Sequence, residues 1–204
     1  MYIMDIREID GKLERILPLL PEYRREKIAK FKPHAEKLRC AAAGLLLKQV
    51  TGIDEDRDVT FNEYGKPMLK EDRDGEPFCF SLSHGGFYAC LSVASASTGC
   101  DVEDIAAYTE SIVRRCFSDA ERKWVNEQPV PERFFAVWTM KESIMKMDGR
   151  GFNMDPRSFS VFDGEWKAKY TIYDGHVFAC APCPEQEIVI ERVSPALDIY
   201  PQGV

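Results

Sequence analysis

Apolar residues recur at helical spacing in two long segments of the chain. The first segment begins at Pro33 and stops at Gly52, and the second runs from Pro131 to about Met147. A spacing of three and four residues places side chains on one face of a helix, and glycine is favoured where a helix ends. The pattern therefore predicts two long helices. The apolar face of the first carries Leu38, Ala42, Leu45 and Leu46.

Shorter patterns predict the remaining elements. A weak helical pattern covers residues 11–20, a basic helix follows Pro21, and Ser118 with Glu121 forms the capping-box pattern that opens another helix. We interpret residues 54–58 as a loop, residues 62–66 as a turn, and residues 83–86 as the connection between two strands. Strands are predicted at residues 2–6, 59–61, 78–82, 88–94, 99–103, 158–162, 166–173, 176–181 and 187–193.

The order of these elements indicates the fold class. Helices are followed by strands twice along the chain, which is typical of an α+β protein. We therefore predict two similar α+β halves, residues 1–104 and 105–204, that pack tightly with a site between them. The chain has 204 residues, of which 45% are hydrophobic, enough for a sizeable core.

No apolar run approaches the length of a membrane span, and charge appears at Asp5, too early for a secretory signal. We therefore expect a soluble, cytoplasmic protein without a membrane partner. The seven cysteines agree with a reducing compartment, because their number is odd and most lie in apolar segments. Cys180 and Cys183 have the spacing of a redox or zinc motif, but no helix is predicted to start there, so inert packing is the favoured interpretation.

The net charge of −7 argues against a nucleic-acid partner. Basic residues nevertheless crowd one stretch that includes only Glu26 and Glu36 as acids. A compact anionic ligand would explain this cluster, and so would a solvated helix face. The cluster consists of Arg24, Arg25, Lys27, Lys30, Lys32, Lys37 and Arg39.

One glutamate falls where a core residue is expected. In the helix from Pro131, Glu142 lies one turn beyond Trp138 on the apolar face. A buried carboxylate is costly unless a cation or hydrogen-bond donors satisfy it, and Lys146 lies one turn further along. The sequence allows either an ordinary Glu142–Lys146 ion pair or a glutamate that faces a cleft.

Two further acids stand two residues apart on a predicted strand. Asp101 and Glu103 therefore point to the same side, and Gly99 before them permits a close backbone approach. Such a pair is common on solvated surfaces, but its mutual repulsion also favours a divalent cation. Combined with Glu142, it describes an oxygen-ligand site for magnesium, with manganese as an alternative. The three histidines lack zinc spacing, and no Walker loop or dinucleotide glycine fingerprint is present.

These residues resemble the paired signature of the 4'-phosphopantetheinyl transferases, in particular the surfactin-type branch. Thr98 and Cys100 stand where that family usually has aliphatic residues. Weaker similarities occur at residues 24–31, 64–67, 80–84, 115–118, 149–152 and 178–181. The two signature blocks are Gly99-Cys100-Asp101-Val102-Glu103 and Trp138-Thr139-Met140-Lys141-Glu142-Ser143-Ile144-Met145-Lys146.

The resemblance implies a single chain with two α+β halves related by a pseudo-twofold axis, acting as a monomer. It implies that the 4'-phosphopantetheine arm of coenzyme A is moved to a serine of an apo acyl, peptidyl or aryl carrier protein. It also implies that Asp101, Glu103 and Glu142 bind magnesium and that Lys146 contacts the phosphates. The implied coenzyme A contacts are Arg24, Lys27, Arg39 and His84 at the 3'-phosphate end, and Lys66 and Ser83 along the nucleotide.

In the mechanism expected from this resemblance, the serine attacks the phosphorus that carries the pantetheine arm, and adenosine 3',5'-bisphosphate leaves. Glu142, or a metal-held water polarised by it, takes the serine proton, and Lys146 stabilises the leaving side. Two alternatives stay open at this point. They are a magnesium-dependent hydrolase of coenzyme A or another diphosphate, and a non-catalytic module that binds coenzyme A or a carrier protein.

Overall fold

The computed structural model describes residues 1–72, 75–183 and 187–197. Within them the chain forms α-helices, short 3-10 turns and strands, which confirms the predicted α+β class. The 3-10 turns cover Ile6–Ile9, Leu17–Leu19, Gly151–Asn153 and Pro156–Ser158. The helices are α1 (Leu13–Ile16), α2 (Glu22–Lys30), α3 (His34–Thr51), α4 (Glu55–Asp58), α5 (Glu110–Cys116), α6 (Asp119–Glu127) and α7 (Pro131–Asp148).

The strands form three sheets. Their hydrogen-bonded orders are β4-β5-β1-β9, β2-β3 and β6-β8-β7, and all pairs are antiparallel except β1 with β9. The strands are β1 (Tyr2–Asp5), β2 (Val59–Phe61), β3 (Pro67–Leu69), β4 (Cys79–Gly85), β5 (Tyr88–Ala94), β6 (Gly99–Asp104), β7 (Lys169–Tyr173), β8 (His176–Ala181) and β9 (Glu191–Arg192).

Two strand pairings cross the predicted boundary at residue 104. Strand β6 belongs to the first range, yet it pairs with β8, with Asp101 opposite Ala179. Strand β9 belongs to the second range and pairs with β1. Residues before and after the boundary therefore share both larger sheets. The division into halves 1–104 and 105–204 stays a prediction.

Helix α3 lies at the centre of a hydrophobic core that also includes residues of β1, β4 and β5. Leu45, Leu46 and Leu47 are all fully buried, so the helix is covered around its circumference and not on one stripe alone. It packs on β1, β4 and β5. Gly52 ends the helix in the left-handed conformation (φ 69°), as predicted, because glycine adopts a positive φ without a steric penalty.

Helix α7 packs directly against β6. A side chain at Gly99 would place its Cβ 1.9 Å from the carbonyl oxygen of Ser143 and 2.5 Å from the backbone nitrogen of Met147. Only glycine therefore lets the backbones approach this closely, which confirms the role predicted for it. The contact brings the C-terminal half of α7 over the strand that carries Asp101.

Several predicted elements are wrong in detail. Residues 54–58 are not a loop, because Asp54 caps α4 by accepting a hydrogen bond from the backbone of Asp56. The segment 11–20 is not one helix, since Pro18 lies in a 3-10 turn that follows α1. Residues 83–85 belong to β4 and not to a connection, because the β4–β5 pairing continues to Gly85 opposite Tyr88.

Residues 158–162 do not form the predicted strand. The backbone carbonyl of Phe159 accepts a hydrogen bond from Lys141 Nζ, and the backbone N–H of Val161 donates to Glu121 Oε1. Side chains of α6 and α7 thus satisfy polar groups that a sheet would otherwise pair. These contacts could not be anticipated from local alternation of apolar and polar residues.

Lys141 and Glu121 form an ion pair with fully buried side chains, with Lys141 Nζ 2.9 Å from Glu121 Oε2. Lys141 also donates to the carbonyl oxygens of Pro156 and Phe159, and the backbone N–H of Ser118 donates to Glu121. Each charge is therefore surrounded by hydrogen-bond partners, as a buried pair requires. The pair joins α6, α7 and the segment between α7 and β7. The sequence suggested only the capping role of Glu121.

None of the seven cysteines, all of which lie in the described residues, forms a disulfide bond, and Cys40, Cys90, Cys100 and Cys183 are buried. Cys180 lies in β8. Among the described residues, no helix has both the length and the apolar character needed to cross a bilayer.

We predict that Lys141→Met destabilises the protein by about 3–5 kcal/mol, because it leaves the Glu121 carboxylate buried without its cation. Urea unfolding followed by circular dichroism measures the change. Lys123→Met, at an exposed position of α6, is the control and should shift stability by less than about 0.5 kcal/mol. A loss below about 1 kcal/mol for Lys141→Met would show that the pair does not hold these helices together.

Candidate active site

Asp101 and Lys146 form the centre of the site. Lys146 Nζ donates to Asp101 Oδ1 and to Ser83 Oγ, both at 2.6 Å, and the Ser83 hydroxyl donates to Asp101 Oδ1 at 2.6 Å. Asp101 is 4% exposed and Ser83 is 9% exposed. Strand β6, strand β4 and helix α7 therefore meet at one buried hydrogen-bonded triad.

The structure brings the three predicted acids close enough to influence one another. Burial, followed by the negative charge of Asp101, raises the pKa of Glu142 to about 7, and Glu103 adds to the effect. Burial and Asp101 also raise the pKa of Glu103 to about 7. The charges of Asp101 and Glu142 contribute to a raised pKa of Lys146, although its burial acts in the opposite direction. Lys146 is thus held in its charged form amid carboxylates.

Trp138 was predicted only as a member of an apolar face, but it contacts the site. Its indole Nε1 donates to Glu103 Oε1 at 3.2 Å. This bond favours the charged carboxylate and partly offsets the rise in the Glu103 pKa. The one sequence signal for this role is the position of Trp138, one helical turn before Glu142.

The donor set agrees with a hard divalent cation. Asp101 Oδ2 is buried and has no hydrogen-bond partner among the described residues, and such an oxygen is available to a ligand. Within the described residues, however, no three His, Cys, Asp or Glu side chains are placed so that they could hold a metal ion by themselves. Magnesium commonly retains waters and takes substrate phosphates as ligands, so an incomplete protein cage does not conflict with it.

A cavity of about 250 Å³ opens beside Lys146. Its walls come from the 64–67 turn, from Phe80 to Leu82 of β4, and from the end of α7 with Gly149 and Gly151. Apolar surface dominates next to the ammonium group, an arrangement that suits an organic ligand bearing a phosphate.

Three of the predicted basic residues gather near this end of α7. Burial and the positive charges of Lys146, Lys27 and Arg39 lower the pKa of His84 to about 4. The imidazole is therefore neutral at physiological pH and offers a hydrogen bond instead of a charge. Arg39 donates to Glu36 and, at 2.8 Å, to the carbonyl oxygen of Gly86. Lys27 is exposed.

Arg24 is placed differently from the other basic candidates. It is 8% exposed, and its guanidinium forms a two-point ion pair with Glu55 and donates to the carbonyl of Cys40. Gly44 of α3 leaves room for it, since a Cβ there would lie 2.5 Å from Arg24 Cδ. The described contacts are those of a core ion pair, and a phosphate contact would require that pair to open. Its assignment to coenzyme A stays a prediction.

Lys66 and Ser83 also make contacts that the sequence did not suggest. Lys66 Nζ donates to Ser97 Oγ, to the carbonyl of Thr98 and to the carbonyl of Met147. It therefore joins the 64–67 turn to the start of β6 and the end of α7. Ser83 belongs to the triad around Asp101 described above. Their predicted contacts with the nucleotide are not tested by this geometry.

We predict that Glu142→Gln raises the stability of the metal-free protein at pH 8. The pKa of Glu142 is raised from 4.5 to about 7 in the folded state. Such a shift does not affect the free energy of unfolding below pH 4.5, and it lowers that free energy increasingly between pH 4.5 and pH 7. The neutral amide removes this cost, which is on the order of 1–3 kcal/mol.

With a chelator present, the variant should have a higher unfolding temperature than the unchanged protein at pH 8, and this difference should disappear near pH 4.5. Glu132→Gln, at an exposed position of α7, is the matched control and should give no gain. Equal stability of Glu142→Gln and the unchanged protein at pH 8 would mean that Glu142 carries no penalty.

Comparison with known proteins agrees with this geometry. The profile of the 4'-phosphopantetheinyl transferase superfamily matches residues 97–191, a range that contains Asp101, Glu103, Glu142 and Lys146. The chain is 28% identical over 156 residues to 4'-phosphopantetheinyl transferase Sfp of Bacillus subtilis strain 168, covering 72% of this chain and 68% of that protein.

Other relatives carry the same activity in their names. A 4'-phosphopantetheinyl transferase of Bacillus subtilis is 28% identical over 178 residues, covering 81% of this chain and 77% of its own length. 4'-phosphopantetheinyl transferase AcpT of Salmonella typhi is 33% identical over 99 residues, which is 45% of this chain and 50% of that protein.

Proposed function

Because the chain belongs to the 4'-phosphopantetheinyl transferase superfamily, we propose that it transfers the 4'-phosphopantetheine moiety of coenzyme A to a serine hydroxyl of an apo carrier protein. Adenosine 3',5'-bisphosphate is the leaving product. The observation that carries this proposal is the convergence of Asp101 and Glu142 on Lys146, which itself lines an open cavity, with all three residues in the range that matches the superfamily profile.

Asp101, Glu103 and Glu142 are the residues that would hold magnesium. When bound, the cation would neutralise negative charge on the two phosphates of coenzyme A, so that the serine could attack an otherwise anionic phosphate. Its fit to this chain is supported by the buried Asp101 oxygen, which no other described residue hydrogen-bonds, and by the mutual repulsion of the acids, which a cation would relieve.

Glu142 is suited to receive the proton of the attacking serine. Burial and the charge of Asp101 raise the pKa of Glu142 to about 7 in the metal-free protein, and a bound cation would lower it by countering that negative charge, so the carboxylate would be ionised at neutral pH and able to accept a proton. Lys146 is suited to the opposite task. Because its pKa is raised, it stays charged and can stabilise negative charge that develops on the leaving bisphosphate.

Lys27, Arg39 and His84 would receive the 3'-phosphate of coenzyme A. Besides burial, the charges of Lys27 and Arg39 contribute to the lowered pKa of His84, which places the three residues within electrostatic range. Bound phosphate would counter the surrounding positive charge, so the imidazole could then donate to it in either protonation state. The nucleotide would occupy the cavity beside Lys66 and Lys146.

We predict that the protein raises the mass of an apo carrier protein by one phosphopantetheine group when coenzyme A and magnesium are supplied. Intact-protein mass spectrometry of several apo acyl, peptidyl and aryl carriers gives the readout. Glu142→Gln should lower the rate by about 10²–10⁴-fold, since it removes both a proton acceptor and a ligand charge.

Glu132→Gln on the exposed face of the same helix is the matched control and should leave the rate unchanged. Release of the bisphosphate from coenzyme A without any carrier would instead indicate a hydrolase. Retention of coenzyme A with an unmodified carrier mass would indicate a binding module. Near-normal turnover of Glu142→Gln would remove this residue from the mechanism.

Removal of divalent metal tests the acidic site independently. We predict that a chelator abolishes carrier modification and that excess magnesium restores it, with manganese able to substitute. Asp101→Asn should require a higher magnesium concentration for half-maximal rate, because it removes one ligand charge. Full activity in excess chelator would contradict the assignment of these acids to a metal.

A further inference from the structure

A buried histidine from the second range of the chain contacts the turn that follows His84. His176 lies on β8 and is 3% exposed. Its Nε2 accepts a hydrogen bond from the backbone N–H of Phe87 at 3.1 Å, and its Nδ1 lies 2.6 Å from the carbonyl oxygen of Asp174. Since a carbonyl can only accept, Nδ1 carries the hydrogen and Nε2 is left as the acceptor. His176 thus joins the β4–β5 turn to the β7–β8 turn.

The turn is shaped to receive this ring. Gly86 has a φ of +51°, and a Cβ at this position would lie only 2.1 Å from His176 Nε2. At Gly85 a Cβ would lie 2.2 Å from the carbonyl oxygen of Val102. The two glycines therefore let the turn rest directly on β6 and β8, and the imidazole fills the space that a larger residue at position 86 would need.

The same turn holds a residue of the proposed coenzyme A site. The carbonyl oxygen of Gly86 accepts the 2.8 Å hydrogen bond from Arg39, and His84 lies two residues before Gly86, near the end of β4. The Phe87 N–H that donates to His176 and the Gly86 carbonyl that accepts from Arg39 belong to the same peptide group. Displacement of the turn would therefore move the acceptor of Arg39 and the backbone of His84 together.

His176 itself lies against the turn and an aromatic cluster. Its ring packs edge-on against Tyr88 with 5.0 Å between centroids, and Phe178 and Phe87 lie further out. Both of its nitrogens are already engaged by backbone groups. A direct contact with a ligand would require one of these bonds to break, so an effect of His176 on ligand binding would pass through the turn.

We propose that His176 is a positioning residue that sets the preference of this enzyme for the 3'-phosphate of coenzyme A, by fixing the turn to which Arg39 and His84 are attached. This inference rests on the proposed function, because it takes the Arg39–His84 region as the 3'-phosphate site. It adds to that site a residue of β8, in the β6-β8-β7 sheet, whereas Arg39 lies on α3 and His84 on β4.

The test compares coenzyme A with dephospho-coenzyme A, which lacks only the 3'-phosphate. Titration calorimetry measures the dissociation constant of each nucleotide without a carrier protein. His176→Phe keeps a ring of similar shape but removes the acceptor for Phe87 N–H. It should weaken coenzyme A by about 10-fold and leave dephospho-coenzyme A within about 2-fold, because one hydrogen bond that holds the turn is lost.

His176→Gln restores an acceptor at the position of Nε2 and should recover most of the preference. Tyr88→Phe is the control for general loosening, since the Tyr88 hydroxyl donates to Asp174 in the same region without contacting the turn backbone. It should lower thermal stability and leave the ratio of the two dissociation constants unchanged. Equal weakening of both nucleotides by folded His176→Phe, or no weakening of either, would overturn the proposal.

A double-mutant cycle adds a readout that a merely structural role would not move. If His176 acts through Arg39, the loss of preference caused by His176→Phe should largely disappear in an Arg39→Ala background. Full additivity of the two changes would overturn this route. In carrier modification, His176→Phe should raise KM for coenzyme A and leave kcat within about 2-fold.

The two proposals fail separately. If the unchanged protein binds coenzyme A more tightly than dephospho-coenzyme A yet modifies no carrier, the transferase function is wrong. The role of His176 can still be tested in that case, from the ratio of the two dissociation constants. If it modifies a carrier but shows no preference between the nucleotides, the role of His176 is wrong and the transferase function stands.

Discussion

The ion pair between Asp101 and Lys146 is the interaction on which the site depends. It joins β6 to α7, and the Ser83 hydroxyl adds β4 to the same junction. Three acids and one lysine share a poorly solvated space, so the lysine limits the repulsion that the acids would otherwise suffer. The compensation is incomplete, since one Asp101 oxygen has no hydrogen-bond partner in the part of the chain that the structure describes and the pKa of Glu142 is raised. A site left in this condition favours a ligand that brings positive charge to the acids and negative charge to the lysine.

Close backbone contacts make the ion pair possible. Gly99 allows α7 to lie on β6, and Gly85 and Gly86 allow the β4–β5 turn to lie on β6 and β8. The groups of the site thus project from regular strands and a long helix. Such elements hold side chains more firmly than loops do, and catalytic geometry depends on that firmness. Strand β6 is central because it contacts both larger sheets and helix α7.

Residues of one type have different tasks according to their surroundings. Lys141 and Lys146 lie on one helix, but Lys141 is fully buried with Glu121 and backbone carbonyls, whereas Lys146 borders an open cavity. Arg24 and Arg39 differ in the same way, since Arg24 is paired with Glu55 in the core and Arg39 lies beside His84. A buried charge with all its partners supports the fold, and a charge at a cavity remains available for a ligand.

The sequence alone determined the α+β class, the long helices α3 and α7 and the strand that carries Asp101, because these follow from periodicity and helix-ending glycines. It also singled out Asp101, Glu103, Glu142 and Lys146 as candidates, through a glutamate on an apolar helix face, two acids on one side of a strand and the resemblance to a known family. It could not show that residues 158–162 bond to the side chains of Glu121 and Lys141, that Trp138 donates to Glu103, or that β6 pairs with β8 across the predicted boundary. Only the tertiary structure decided these contacts. Each one joins residues far apart along the chain, and their partners depend on how the helices and sheets pack, which local pattern does not encode.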